Sequence, residues 1–175
     1  IEYDHIGRTY IVDEAVVGVR AFPVVVPEGL RVGCVDGGSD SVHQFLRLIG
    51  VNVELLDADP GDVSVYDTIV VGIRACRSRP DLVVANSWLM EYVRYGFHLV
   101  MRCHQPGDNW NAQTSAPYFL QIGSPSFNWR VTDEHAEVRV LQPDHPLLNA
   151  PNVIGVEQNV PGTYRLFVNL ITPLQ

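Results

Sequence analysis

Residues 31–40 read Arg-Val-Gly-Cys-Val-Asp-Gly-Gly-Ser-Asp, and residues 42–50 read Val-His-Gln-Phe-Leu-Arg-Leu-Ile-Gly. The first run is apolar up to Val35 and ends in a turn built from Asp and Gly. In the second, Val42, Phe45, Leu46 and Ile49 recur at helical spacing and Gly50 supplies the stop. A short strand is therefore followed directly by a turn and an amphipathic helix. This is the opening of a strand–helix–strand unit, in which the helix carries the chain back so that the next strand runs parallel.

On the C-terminal side the rhythm continues. Val51, Val53 and Leu55 alternate with polar residues as a second strand, and Asp67-Thr-Ile-Val-Val-Gly72 is a nearly all-apolar third, the kind buried on both faces. Asp81 follows Pro80 as a helix start; Leu82, Ala85, Leu89 and Val93 mark one face, and Gly96 ends it. His98-Leu-Val-Met-Arg-Cys103 is a fourth strand. These patterns predict parallel strands at 31–36, 51–56, 67–72 and 98–103, with helices at 40–49 and 81–95 packed on them. Residues 104–130 form a long polar loop region with aromatics, and Ala136 to Leu141 alternate as a further strand. Pro161 suits the first turn of a closing helix carrying Leu166, Phe167, Leu170 and Ile171.

On the N-terminal side, residues 10–27 are rich in Val and Ile but interrupted by Pro23 and Pro27. They read as an edge strand or the exit from a preceding β domain. The expected organisation is an N-terminal segment, 1–28, followed by one α/β domain, 29–175, with a parallel sheet flanked by helices.

Composition narrows the function. The net charge is −8, all 12 basic residues are Arg, and they are scattered, which argues against a nucleic-acid groove or an anionic membrane surface. No apolar run is long enough to span a bilayer. Cys34, Cys76 and Cys103 cannot all pair within one chain, and no disulfide framework is legible. The His spacing suits neither a His-x-His nor a His-Glu-x-x-His metal site, so no metal and no cofactor is expected.

In an open parallel sheet the ligand crevice lies beyond the carboxyl ends of the strands. Three loops converge there: 37–40, 73–79 and 104–111. Gly37-Gly38-Ser39-Asp40 matches neither a Walker loop nor Gly-x-Gly-x-x-Gly, and reads first as a turn in which Ser39 or Asp40 caps the helix. Arg74, Arg77 and Arg79 suit a carboxylate or phosphate ligand, and equally suit structural pairing with Asp36, Asp40 or Asp108. Cys103 and Cys76 are the available nucleophiles, but neither has the flanking Gly residues of a strained nucleophile elbow. Asp108, Asn109, Trp110 and Asn111, with Gln113, Thr114 and Tyr118, put an aromatic ring among amides and hydroxyls. That set suits a sugar ring, or a plug over the core.

Tyr66 to Ala75, Arg79-Pro-Asp-Leu82, Pro106-Gly-Asp-Asn-Trp-Asn111, Arg130 to Glu134, Pro143 to Asn149 and Val160 to Asn169 occur in order along the chain. Together with Tyr3-Asp-His-Ile6 they make it resemble the C-terminal region of bacterial PIG-L-family proteins. That resemblance implies a flavodoxin-like parallel sheet, as in class I glutamine amidotransferases and ThuA-like domains. The family's N-terminal domain is a zinc-dependent N-acetylglucosamine deacetylase whose His-Pro-Asp-Asp metal motif has no counterpart here. The implied function is a non-catalytic accessory or interaction domain of a secreted, periplasmic or cell-envelope protein. Its implied partners are other domains of the parent or envelope components. Two alternatives stay open: a ThuA-like or amidotransferase-like hydrolase using His104, Asp108 or Cys103, and a glycan-binding module. For these, Arg74, Arg79, His104, Asp108, Asn109 and Trp110 are the candidate ligand-binding residues. Relatives carry a much longer connection between Asn152 and Pro161, so a shortened segment or a chain break is expected there.

Overall fold

The computed structural model describes residues 12–17, 19, 21–84, 86–125, 128, 140–154 and 169–171. Its elements run β1 (Arg31–Val35), α1 (Val42–Leu48), β2 (Asn52–Leu55), β3 (Thr68–Val71), α2 (Ala75–Ser78), α3 (Pro80–Val84), α4 (Ser87–Arg94), β4 (His98–Met101), α5 (Pro146–Asn149) and β5 (Asn169–Ile171). The sheet order is β2-β1-β3-β4-β5. β1 pairs parallel with both β2 and β3, and β3 pairs parallel with β4, so the four expected strands form one parallel sheet. The fold is α/β and flavodoxin-like, with helices on both faces.

Alternation along the strands builds two cores. Val32 and Cys34 of β1, Val53 of β2 and Val70 of β3 face one side, where Val42, Leu46 and Ile49 of the α1 segment pack on them. Val35, Ile69, Val71, Leu99 and Met101 face the other, under Leu82 of α3 and Leu89, Met90 and Val93 of α4. Each β-strand residue thus serves one layer, and reversing the register by one would exchange the two cores. β2 is the outer strand on its side of the sheet. Arg47 reaches over it and donates from Nε and Nη2 to the Val53 carbonyl, at 3.1 and 2.8 Å, which covers part of an edge that would otherwise template pairing.

Three expectations change. The helix expected over 81–95 is two helices: α3 ends at Val84 and α4 starts at Ser87 with Asn86 as its N-cap, and the Asn86 side-chain amide donates to the Thr114 carbonyl. Leu170 and Ile171, expected in a closing helix, lie in β5, which pairs antiparallel with β4. This pairing satisfies the backbone groups on the outer edge of β4, which a helix there would leave unpaired. The N-terminal edge strand is not formed among the described residues of 12–27, which carry no regular structure. Pro23 and Pro27 have no N–H to donate to a ladder. The expected strand over 136–141 lies largely outside the described residues, as do residues 155–168, where a shortened connection or break was expected.

Candidate functional site

The loops leaving β1, β3 and β4 meet at the carboxyl end of the sheet, as a parallel fold requires. β1 and β3 are neighbours, and their loops touch through backbone. A Cβ on Gly37 would stand 2.4 Å from the Ile73 carbonyl oxygen, and one on Gly72 would stand 2.9 Å from the Gly37 nitrogen. Only glycine allows this approach, so no open crevice is left between these two turns.

Asp40 is the centre of the β1 side. Its Oδ1 accepts from the Val42 N–H at 3.0 Å, closing a local turn ahead of α1; the N-cap itself is Ser41, with no side-chain capping bond, rather than the expected Ser39 or Asp40. Its Oδ2 accepts from the Ile73 N–H at 2.6 Å and pairs with Arg102 at 3.0 Å. One carboxylate therefore ties the starts of α1 and the β3 loop to the end of β4. Asp36 accepts from Gly38 N–H at 2.8 Å, closing the turn on itself. Ser78 Oγ donates to the Gly37 carbonyl at 2.7 Å.

Arg74 and Asp108 form the second cluster. Arg74 has φ 57°, a left-handed conformation that a non-glycine residue seldom adopts. It is held by its N–H, which donates to the Cys103 carbonyl at 3.0 Å, and by its side chain. The guanidinium donates from Nε and Nη2 to the Asp108 carboxylate, the shortest contact being 2.6 Å. Asp108 has no exposed surface and also accepts the Gln105 N–H at 2.7 Å. Burial alone would push its carboxyl up, but the bonds from Arg74 and Gln105 outweigh it and hold the group below its ordinary range.

His104 is the third. It is buried, its Nδ1 lies 2.6 Å from the Arg102 carbonyl and its Nε2 accepts the Cys76 N–H at 3.3 Å. A carbonyl on one side and an N–H on the other require a neutral ring protonated at Nδ1. Burial lowers its pKa, the Arg102 carbonyl and Asp108 pull it back up, and Arg74 lowers it; the net direction is down. Trp110 packs against the ring with centroids 5.6 Å apart, and its Nε1 donates to the Leu120 carbonyl at 2.8 Å. Asn109 donates to the Cys76 carbonyl at 3.1 Å.

The structure therefore gathers His104, Asp108, Asn109, Trp110, Arg74 and the Cys76 backbone into one assembly, and leaves Arg79 out. Arg79 forks onto Asp81 two residues away, with 2.7 Å at the shortest contact, as a local pair at the start of α3. Trp110 is a half-buried plug packed on the core rather than an open platform. Cys76 is buried, and that burial, reinforced by the charge of Asp108, pushes its thiol up to about 11. Cys103 is exposed. Among the described residues neither thiol hydrogen-bonds to a histidine, because the ring nearest Cys76 takes its main chain instead. Nor does any group of three or more His, Cys, Asp or Glu among them form a possible metal site. Arg102 was missed in the sequence. Its signal was a charge placed directly after an apolar strand, where it must reach for a partner.

No family model matches the chain. A proline iminopeptidase of Clostridium botulinum (strain Hall) is 30% identical over 83 residues, which cover 47% of this chain and 27% of that protein. The chain thus spans about a quarter of that relative's length. No solved structure matches at a significant level.

Proposed function

We propose that this chain is a non-catalytic accessory domain of a PIG-L-type deacetylase protein of the cell envelope or secreted fraction, acting through protein contacts. The observation that carries the reading is the internal engagement of the carboxyl-end polar groups. Arg74 and Asp108 hold each other, Asp40 holds Arg102 and two backbone amides, and both ring nitrogens of His104 face backbone partners. A general base needs a lone pair directed at the substrate, and that of His104 Nε2 is already occupied. A ligand carboxylate or phosphate would have to displace Asp108 from Arg74 and leave a buried carboxylate without its cation. The resemblance of several segments, in order, to PIG-L-family C-terminal regions is what supports this choice of parent protein. Large apolar side chains exposed from Val12 to Phe22 supply surface for contacts.

The hydrolase reading draws on the local likeness to a proline iminopeptidase and on the exposed Cys103 thiol. One experiment separates the two. The purified chain is incubated with glutamine, with prolyl and glutamyl p-nitroanilides and with N-acetylglucosamine. In parallel it is titrated calorimetrically against the zinc deacetylase domain of a PIG-L-family protein. Binding without turnover is expected. Turnover that is lost in Cys103→Ala would overturn the accessory reading.

A further inference from the structure

The loop leaving β4 is fastened to α2 by side chains that reach back to main chain. His104 takes the Cys76 N–H, and Asn109 gives to the Cys76 carbonyl. The two bonds hold the N–H and the carbonyl of one residue, Cys76, and so two successive peptide units of α2. Of the two, only the His104 bond depends on pH, because Nε2 must be unprotonated to accept. A proton there would set two donors against each other across 3.3 Å, in a buried site. Nδ1 offers no escape, since it faces the Arg102 carbonyl and must remain the donor.

We propose that His104 is an acid-sensitive clasp: protonation of its Nε2 releases the 104–120 loop, with Trp110, from the first turn of α2. The charged groups around the ring decide whether that proton is tolerated in place. Asp108, from the same loop, favours the cation, and Arg74, from the β3 turn, opposes it. The Asp108 charge is already answered by the bidentate Arg74 contact, so it offers little new attraction. From α2 the ring meets the Cys76 N–H, and Trp110 covers it within its own loop. Opening carries the ring to water, where the cation is hydrated and the Cys76 N–H finds another acceptor.

The sign follows from the direction of the shift. The ring's affinity for a proton is lower in the closed form than the ordinary 6.5, so the open form binds the proton first. The closed clasp is fully favoured above about pH 6.5 and is progressively lost as pH falls toward and through the closed-form pKa. Asp108 is held below the ordinary carboxylate range, so its own titration comes later and at lower pH.

The test is hydrogen–deuterium exchange of the whole chain between pH 7.5 and 5, corrected for the intrinsic pH dependence of exchange, alongside NMR titration of the His104 ring. Excess exchange is expected in peptides covering 74–79 and 104–120, and β1 and β3 should stay protected. Between the two pKa values the open population should rise by up to about tenfold per pH unit, the limit for one proton. His104→Gln keeps an acceptor for Cys76 but no titration, and should remove the pH-dependent excess. If that variant does not fold, the wild-type chain still decides, since the exchange midpoint must coincide with the His104 titration. Exchange independent of pH, a midpoint unrelated to His104, or loosening spread evenly over the sheet would each overturn the proposal.

Discussion

At the carboxyl end of the sheet, Asp108 is fully buried with donors from Arg74 and Gln105 on its carboxylate. Between Val12 and Phe22, five large apolar side chains are 70–93% exposed: Val12, Val16, Val17, Val19 and Phe22. The two regions invert the usual use of a parallel α/β fold, in which the strand ends are open to ligand and the rest of the surface is polar. Here the strand ends are closed by their own side chains, and the unsatisfied surface is apolar and elsewhere. A polar cluster whose members satisfy one another gains little from a ligand, whereas exposed apolar surface gains from any apolar partner. That difference supports the proposed contact role, and it can be tested at both ends.

The largest effects belong to the Arg74–Asp108 pair. Asp108→Ala removes the acceptor of Arg74 and of the Gln105 N–H but leaves a guanidinium that can turn toward water, and should lower the urea-unfolding midpoint. Arg74→Ala strands a buried carboxylate, and should cost more than Asp108→Ala. If either variant were as stable as the parent, the cluster would be a binding site held open rather than a structural tie. Next comes the β1–β3 contact. Gly37→Ala puts a Cβ 2.4 Å from a backbone oxygen, and backbone cannot swing aside as a side chain can. A loss of roughly 1–3 kcal/mol is expected, read as a lower denaturant midpoint at unchanged slope.

The thiols give a finer reading of the same closure. Burial pushes Cys34 up to about 11, with Asp40 and Asp36 adding to it, and burial and Asp108 do the same for Cys76. Cys103 is exposed. A thiol reagent at pH 8 should label one cysteine rapidly in the folded chain and all three only after unfolding. Rapid labelling of Cys76 in the native state would mean that α2 does not stay closed against the β4 loop.

How much of this was legible in the sequence depended on distance along the chain. β1 and β3 were readable because each is a short apolar run ended by a Gly turn, and β4 because its apolar run follows the Gly96 stop; the N-cap was read too early, since it is Ser41 and not Ser39 or Asp40. The closure of the site was not readable. Arg74 and Asp108 are 34 residues apart and His104 and Cys76 are 28 apart, so whether those groups face a ligand or each other is decided only by packing. Arg74 illustrates the limit: its charge suggested an anion site, while its left-handed backbone gives no sign in an Ile-Arg-Ala sequence. The β5 pairing was hidden for another reason. Leu170 and Ile171 fit a helix face and a strand equally well, and the free edge of β4 decides between them.

The smallest expected effect lies at the other end of the comparison. Val16 and Val17 are 86% and 82% exposed, so neither gains much by burial when the chain folds alone. Replacing both with Ser should change unfolding stability by no more than about 0.5 kcal/mol, the range for surface substitutions. The chain's tendency to associate should fall, because two large apolar side chains have been removed from water-facing surface. The result depends on where the segment is anchored. Asn152 pairs with both the N–H and the carbonyl of Val25, at 2.7 and 2.8 Å, and Val26 packs against the core under α1. Substituting Val26 with Ser should therefore destabilise the fold measurably, whereas the Val16 and Val17 changes should not. If the Val16 and Val17 double variant lost as much stability as Val26→Ser, the 12–22 stretch would be part of this domain's own core. The contrast between a closed polar end and an open apolar segment would then have to be abandoned.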